Sequence, residues 1–292
     1  MVASAILTKP TFLLLAGGAI LLWSSFALLS SRVSHLPTFL AAGIALTIGG
    51  LLGLVRARDW KVPVVTLLVG IGGICGYHVM LFSAFRLSPV VEANLLNYLW
   101  PLLIVLLSPV ILRGYGLRAR HVVGALLGLA GAALIVTGGS LRPDLAALPG
   151  YLLAVGAAAV WAVYSLLTKK LPTFGTGAVG AFCLVSGLLS LAVYTAESGA
   201  AGFTLIRGAD WPILVALGIG PMGAAFFLWD AALKRGDPRV IGSLSYVTPL
   251  LSTLALTLAG GRRLSLLAGA AMVLIVAGAV IGSLTMRGAE ER

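Results

Sequence analysis

The chain has 292 residues, of which 60% are hydrophobic and only 10% charged, with a mean hydropathy of +1.08 and a formal net charge of +11. A soluble domain carries about 25% charged residues to hold its water shell, so this composition excludes a soluble enzyme, a disordered chain and a secreted disulfide scaffold. The basic residues punctuate apolar runs instead of clustering on one face, which points to membrane loops and away from nucleic acid.

A spanning helix needs about 20 residues, so the length accommodates roughly ten crossings and no extra domain. Ten apolar segments follow in chain order, near 11–31, 37–55, 63–86, 89–111, 118–138, 149–168, 174–194, 211–233, 238–259 and 264–285. They are continuous runs without two-residue alternation, which predicts helices and not barrel strands. Trp23 interrupts the first run and no small-residue cleavage site follows, so this run is expected to remain as a span. Cys75 and Cys183 sit in apolar stretches and read as small hydrophobes. With the N-terminus inside, alternate loops carry fourteen Lys/Arg inside and six outside, which predicts both termini in the cytoplasm.

Two blocks repeat in the same order. Gly18-Ala19, Trp23, Phe26, Leu28-Leu29 and Ser30 correspond to Gly156-Ala157, Trp161, Tyr164, Leu166-Leu167 and Thr168, at an offset of 138. Tyr98-Leu99-Trp100-Pro101-Leu102-Leu103 corresponds to Tyr246-Val247-Thr248-Pro249-Leu250-Leu251, at an offset of 148. Halves of five helices, 1–146 and 147–292, would cross in opposite directions and form an inverted repeat. That arrangement is common among alternating-access transporters, with the substrate at the repeat interface near mid-membrane.

These residues resemble the drug/metabolite transporter superfamily and, within it, the EamA-type ten-helix permeases. Phe85-Arg86-Leu87-Ser88-Pro89 before Tyr98-Leu99-Trp100-Pro101 looks like that family's third-to-fourth helix turn. The run Ala231 to Pro238 before Tyr246-Val247-Thr248-Pro249 looks like its second-half counterpart. Glu92 followed by Asn97-Tyr98-Leu99-Trp100-Pro101 is similar to aromatic amino acid exporters of the YddG type. The resemblance implies an inner-membrane exporter of aromatic and other neutral amino acids. Where the family often has an acidic residue after the ninth helix, this chain has Gly260-Gly261-Arg262-Arg263.

The candidate substrate site is a ring-lined central cavity. Tyr98 lies nine residues beyond Pro89, about 13 Å into the membrane at 1.5 Å per residue, deeper than the interfacial belts where most tyrosines and tryptophans sit. Tyr77, His78, Tyr98, Trp100, Trp161, Tyr164 and Tyr246 are expected around it, with Asn97, Ser243 and Ser245 orienting the amino-acid backbone. Ordinary helix packing explains any one of them equally well. Glu92 and His78 are the ionisable candidates for contact with a substrate amine or for coupling, since such groups are costly in lipid. For Glu92 the plainer reading is an ion pair with Arg86 or Arg32. Asp230 pairs naturally with Lys234 four residues on. Pro101 and Pro249, placed well inside their helices, are candidate hinges.

No Gly-x-x-x-x-Gly-Lys-Ser/Thr run is present, and the three histidines at 35, 78 and 121 form no metal set. No catalytic residue, cofactor or metal is therefore expected. The expected partners are a small-molecule substrate and the lipid bilayer, and the duplication makes a monomer sufficient. Export of another small metabolite, a facilitative pore and an intramembrane enzyme are the rival readings. A pore would need a continuous polar lining, and an enzyme a polar cluster that the sequence lacks.

Overall fold

The computed structural model describes residues 9–138, 140, 145–259 and 266–283. The described residues are almost entirely helical, and the helices follow the ten apolar segments. α1 is Lys9–Arg32, α2 Thr38–Leu51, α3 Val64–Leu87, α4 Val90–Asn97, α5 Trp100–Ile111, α6 Ala119–Thr137 and α7 Leu148–Lys170. α8 is Ala178–Ser198, α9 Trp211–Ile219, α10 Ala225–Arg235, α11 Pro238–Ser245, α12 Val247–Ala259 and α13 Leu266–Ser283. Seven stretches of the described residues are long and apolar enough to cross a membrane, and Ala119–Leu134 and Gly269–Gly282 are shorter apolar helices. Arg142 and the stretch Gly260-Gly261-Arg262-Arg263 lie outside the described residues, as do Arg287 and Arg292.

Two of the expected segments are interrupted and a third is locally distorted. The fourth breaks at Tyr98-Leu99 between α4 and α5, and the ninth breaks at Tyr246 between α11 and α12. The eighth is continuous but carries one π-helical turn, Gly220–Ala224, between α9 and α10. The prolines are therefore placed differently from the expectation of mid-helix kinks. Pro101 enters at the start of α5 and Pro249 is the third residue of α12, where a missing N–H costs little. Each lies just past its break, three residues after the matching tyrosine.

Helix pairing follows small residues. α2 packs along α8, α6 along α13, α3 along α7, and α1 against α10 and α12. A methyl group on Gly53 would come within 2.6 Å of the Gly180 Cα, and one on Gly124 within 2.6 Å of the Gly282 nitrogen. Backbones this close leave no space for lipid-like side chains, so dispersion between the helices replaces the hydrophobic effect as the cohesive force. The outer faces present Leu14, Leu68, Val110, Leu152 and Val273, each more than 60% exposed, as a lipid-facing surface requires.

Candidate functional site

A cavity of about 180 Å³ lies at the centre of the bundle. A cavity of roughly 150 Å³ is enough to admit benzene, so this one has room for an aromatic ring. It runs from mid-bundle toward the end where α1 and α3 finish, because its wall includes Phe26 of α1 and Phe82 and Phe85 of α3. Tyr77, His78, Asn94, Asn97, Tyr98, Trp100, Trp161 and Thr248 line it, together with Trp23, Pro221, Met222 and Phe226.

Trp23, Trp100 and Trp161 form its floor, with the buried Trp229 packed behind them. Trp23 sits 5.1 Å from Trp229, 5.9 Å from Trp161 and 6.1 Å from both Trp100 and Phe226, measured between ring centroids. Most of these pairs meet edge to face or tilted, as the ring quadrupole favours. The indole N–H of Trp23 donates to the Pro221 carbonyl at 3.1 Å, and that of Trp229 donates to the Ser165 hydroxyl at 3.1 Å. The Pro221 carbonyl belongs to the π turn, where an extra residue loosens the regular ladder and leaves acceptors for other groups. Next along α1, Ser24 Oγ lies 3.3 Å from the Thr248 carbonyl, just past the ninth-segment break, while also donating to Ile20 of its own helix. α1 thus meets irregular backbone on both α9–α10 and α12.

The sequence-selected residues divide sharply. Tyr77, His78, Asn97, Tyr98, Trp100 and Trp161 come together on the cavity wall. Tyr164, Ser243, Ser245 and Tyr246 do not. Tyr164 tilts against Trp161 but its ring fills the space over Gly73. Tyr246 is fully buried against Gly128, within an apolar cluster that includes Val105, Leu250 and Ile275. Ser243 and Ser245 return their hydroxyls to the carbonyls of Arg239 and Ile241 one turn back, which satisfies them inside α11. Glu92 is also away from the cavity wall. Of its two expected partners, Arg86 pairs instead with Glu197 at 3.0 Å, and the Glu92 Oε2 is sealed without a hydrogen bond among the described residues.

Several wall residues were not among the sequence candidates, Phe26, Phe82, Phe85, Asn94, Met222, Phe226 and Thr248 among them. Met222 lies within the π turn and Phe226 two residues past it, for which Gly220-Pro221 is the available signal, and Thr248 lies within the repeated Tyr-x-x-Pro block. Trp23, the repeat counterpart of Trp161, also stands on the wall.

Below the tryptophan floor, at the Lys234 end, a polar layer closes the bundle. Asp230 accepts from Lys234 at 2.7 Å and from Thr176 at 2.8 Å, the bland pairing expected from its spacing. Lys234 also donates to the Phe174 carbonyl at 3.0 Å, and Lys169 donates to the Leu233 and Gly236 carbonyls at 2.8 and 2.6 Å. In the connection between α10 and α11, Asp237 caps α11 by accepting from the Arg239 N–H at 2.9 Å. Burial pushes the Asp237 carboxyl upward, but the side-chain and backbone bonds from Arg239 outweigh it and hold the group below its ordinary value.

With this geometry in place, comparison with known proteins decides the lineage. The EamA-like transporter family matches the chain twice, over residues 10–137 and 148–284. The chain belongs to the EamA-like transporter family. Among EamA-like relatives, the aromatic amino acid exporter YddG of Ancylobacter novellus is 40% identical over 296 residues, spanning 96% of this chain and all of that protein. The exporter of the same name from Salmonella typhimurium is 28% identical, over 88% of this chain and 92% of its own length. A crystal structure 40% identical in sequence superposes with a TM-score of 0.88, covering 95% of this chain and 97% of the other. This EamA-like chain is therefore a multi-pass membrane protein of a transporter family. It carries a ring-walled cavity whose lining, among the described residues, contains no Asp, Glu, Lys or Arg.

Proposed function

We propose that this transporter exports aromatic and other neutral amino acids across the bacterial inner membrane, with the central cavity as the substrate site. The observation that carries the reading is the wall itself. Indole and phenyl rings suit an apolar or aromatic side chain, while amide, phenol and imidazole groups can hydrogen-bond the amino-acid backbone. The names of the relatives at 40% and 28% identity support the same substrate class. A transporter and not an enzyme is the reading, in keeping with the family.

Transport proceeds by alternating access between two inverted five-helix halves, 1–146 and 147–292, with both termini in the cytoplasm. Three observations support this. The fourth and ninth segments break at equivalent tyrosines, and interrupted helices in corresponding positions are a recurring feature of transporter sites. The pairs α2 with α8 and α6 with α13 join equivalent members of the two halves. The excess of Lys/Arg in alternate loops fits termini on the inside.

The test is counterflow in proteoliposomes loaded with phenylalanine, run with a panel of amino acids and with or without a pH gradient. Saturable exchange of aromatic and neutral amino acids is expected, and flux without saturation or counterflow would overturn the carrier reading. Dependence on the gradient would mark proton coupling, and independence would mark facilitated export.

A further inference from the structure

Among the cavity's polar atoms, a few are left with a definite sense. His78 Nδ1 lies 2.7 Å from the Ile74 carbonyl four residues back in α3. A carbonyl only accepts, so Nδ1 carries the proton, and in the neutral ring Nε2 is a bare acceptor. His78 is 7% exposed and on the cavity wall, and its ring is held edge-on by Tyr77 at 5.0 Å and tilted against Phe82 at 5.5 Å. Tyr77 is itself anchored by a bond from Asn97 Nδ2 at 3.2 Å. The orientation of the Nε2 lone pair is thus fixed by packing on three sides.

The donors lie elsewhere on the wall. Of the four clustered tryptophans, Trp23 and Trp229 direct their N–H groups to protein acceptors. Trp100 and Trp161 direct theirs to none among the described residues, yet neither nitrogen is among the atoms sealed without a partner. Both residues line the cavity, the space in which those N–H groups can meet a ligand. Trp161 and Trp23 occupy equivalent places in the two halves, which makes the difference informative: one indole N–H is used to hold the wall, and the other is free. An indole nitrogen only donates.

We propose that the substrate is held end to end by uncharged groups, its ammonium on the bare Nε2 of His78 and its carboxylate on the free indole N–H groups of Trp161 and Trp100. This rests on the amino-acid reading above and adds the orientation of the ligand and the residues that read each end. Charge-assisted hydrogen bonds from neutral partners are strong enough for this when water is excluded. No formally charged residue has to be buried in the wall for the zwitterion to be recognised.

The experiment measures calorimetric affinities of the purified full chain in detergent for phenylalanine and for two fragments. One is 2-phenylethylamine, which lacks the carboxylate, and the other is 3-phenylpropionate, which lacks the amine. His78→Leu is expected to weaken phenylethylamine by about ten- to hundredfold and to leave phenylpropionate within about twofold. His78→Gln, which keeps an acceptor oxygen, retains amine binding. Trp161→Phe keeps a ring but no N–H and gives the opposite pattern, and phenylalanine is weakened by both losses. Equal weakening of both fragments by each variant, the reversed pattern, or phenylalanine binding with no measurable binding of either fragment overturns the assignment while leaving the amino-acid reading intact. A wild-type chain that binds neither phenylalanine nor the fragments overturns the amino-acid reading and this inference with it.

Discussion

The fourth and ninth segments carry the same Tyr-x-x-Pro-Leu-Leu block and break at the same place, yet their tyrosines meet opposite fates. Tyr98 stands half-buried on the cavity wall beside Asn97 and Trp100, whereas Tyr246 is fully enclosed against Gly128 and its neighbours contribute only Thr248 to the wall. The difference is local packing. Gly128 leaves a ring-sized space between α6 and the ninth segment, and a methyl there would come within 2.4 Å of the Tyr246 ring. A duplicated motif therefore marks where two helices are interrupted and does not say which interruption faces the ligand.

The largest stability effect separates the two tyrosines. Tyr246→Ala removes a fully buried ring and should cost about 3–5 kcal/mol, read as a large fall in Tm in detergent. Tyr98→Ala should shift Tm far less while reducing phenylalanine counterflow at least tenfold. Equal Tm losses at the two positions would dissolve the contrast. A smaller effect distinguishes the two repeat-related tryptophans. Trp23→Phe leaves the Pro221 carbonyl without its donor and should cost about 1–2 kcal/mol, whereas Trp161→Phe, which breaks no protein hydrogen bond, should be close to neutral in stability.

The smallest effect lies at the start of the ninth segment. Asp237→Asn weakens the cap on α11 and should cost about 1 kcal/mol at neutral pH. The Asp237 carboxyl is held below its ordinary value in the folded chain, so its contribution is present above the unfolded carboxylate range and lost as pH falls through the lowered folded value. The wild type should therefore lose its advantage over Asp237→Asn on acidification below about pH 4. A stability difference that stayed constant from neutral to acidic pH would remove Arg239 from the account of this cap.

Much of this molecule could be read from its residues alone. Lipid allows few spanning structures, so continuous apolar runs predict the helices, whereas the breaks in the fourth and ninth segments, read from sequence as proline hinges, appear only in the structure. The aromatic set was half legible: Tyr77, His78, Asn97, Tyr98, Trp100 and Trp161 were found from depth and residue type, because deep polar rings in a membrane need a partner. Depth could not separate them from Tyr164, Tyr246, Ser243 and Ser245, since position along a helix does not give its rotation about its axis. That rotation is set by where glycines on a neighbouring helix let a ring sink, as at Gly73 and Gly128, and by which hydroxyls turn back onto their own backbone. The partner of each indole N–H was likewise decided only in three dimensions, because the acceptor for Trp23 is a carbonyl within a π turn 198 residues away in the chain.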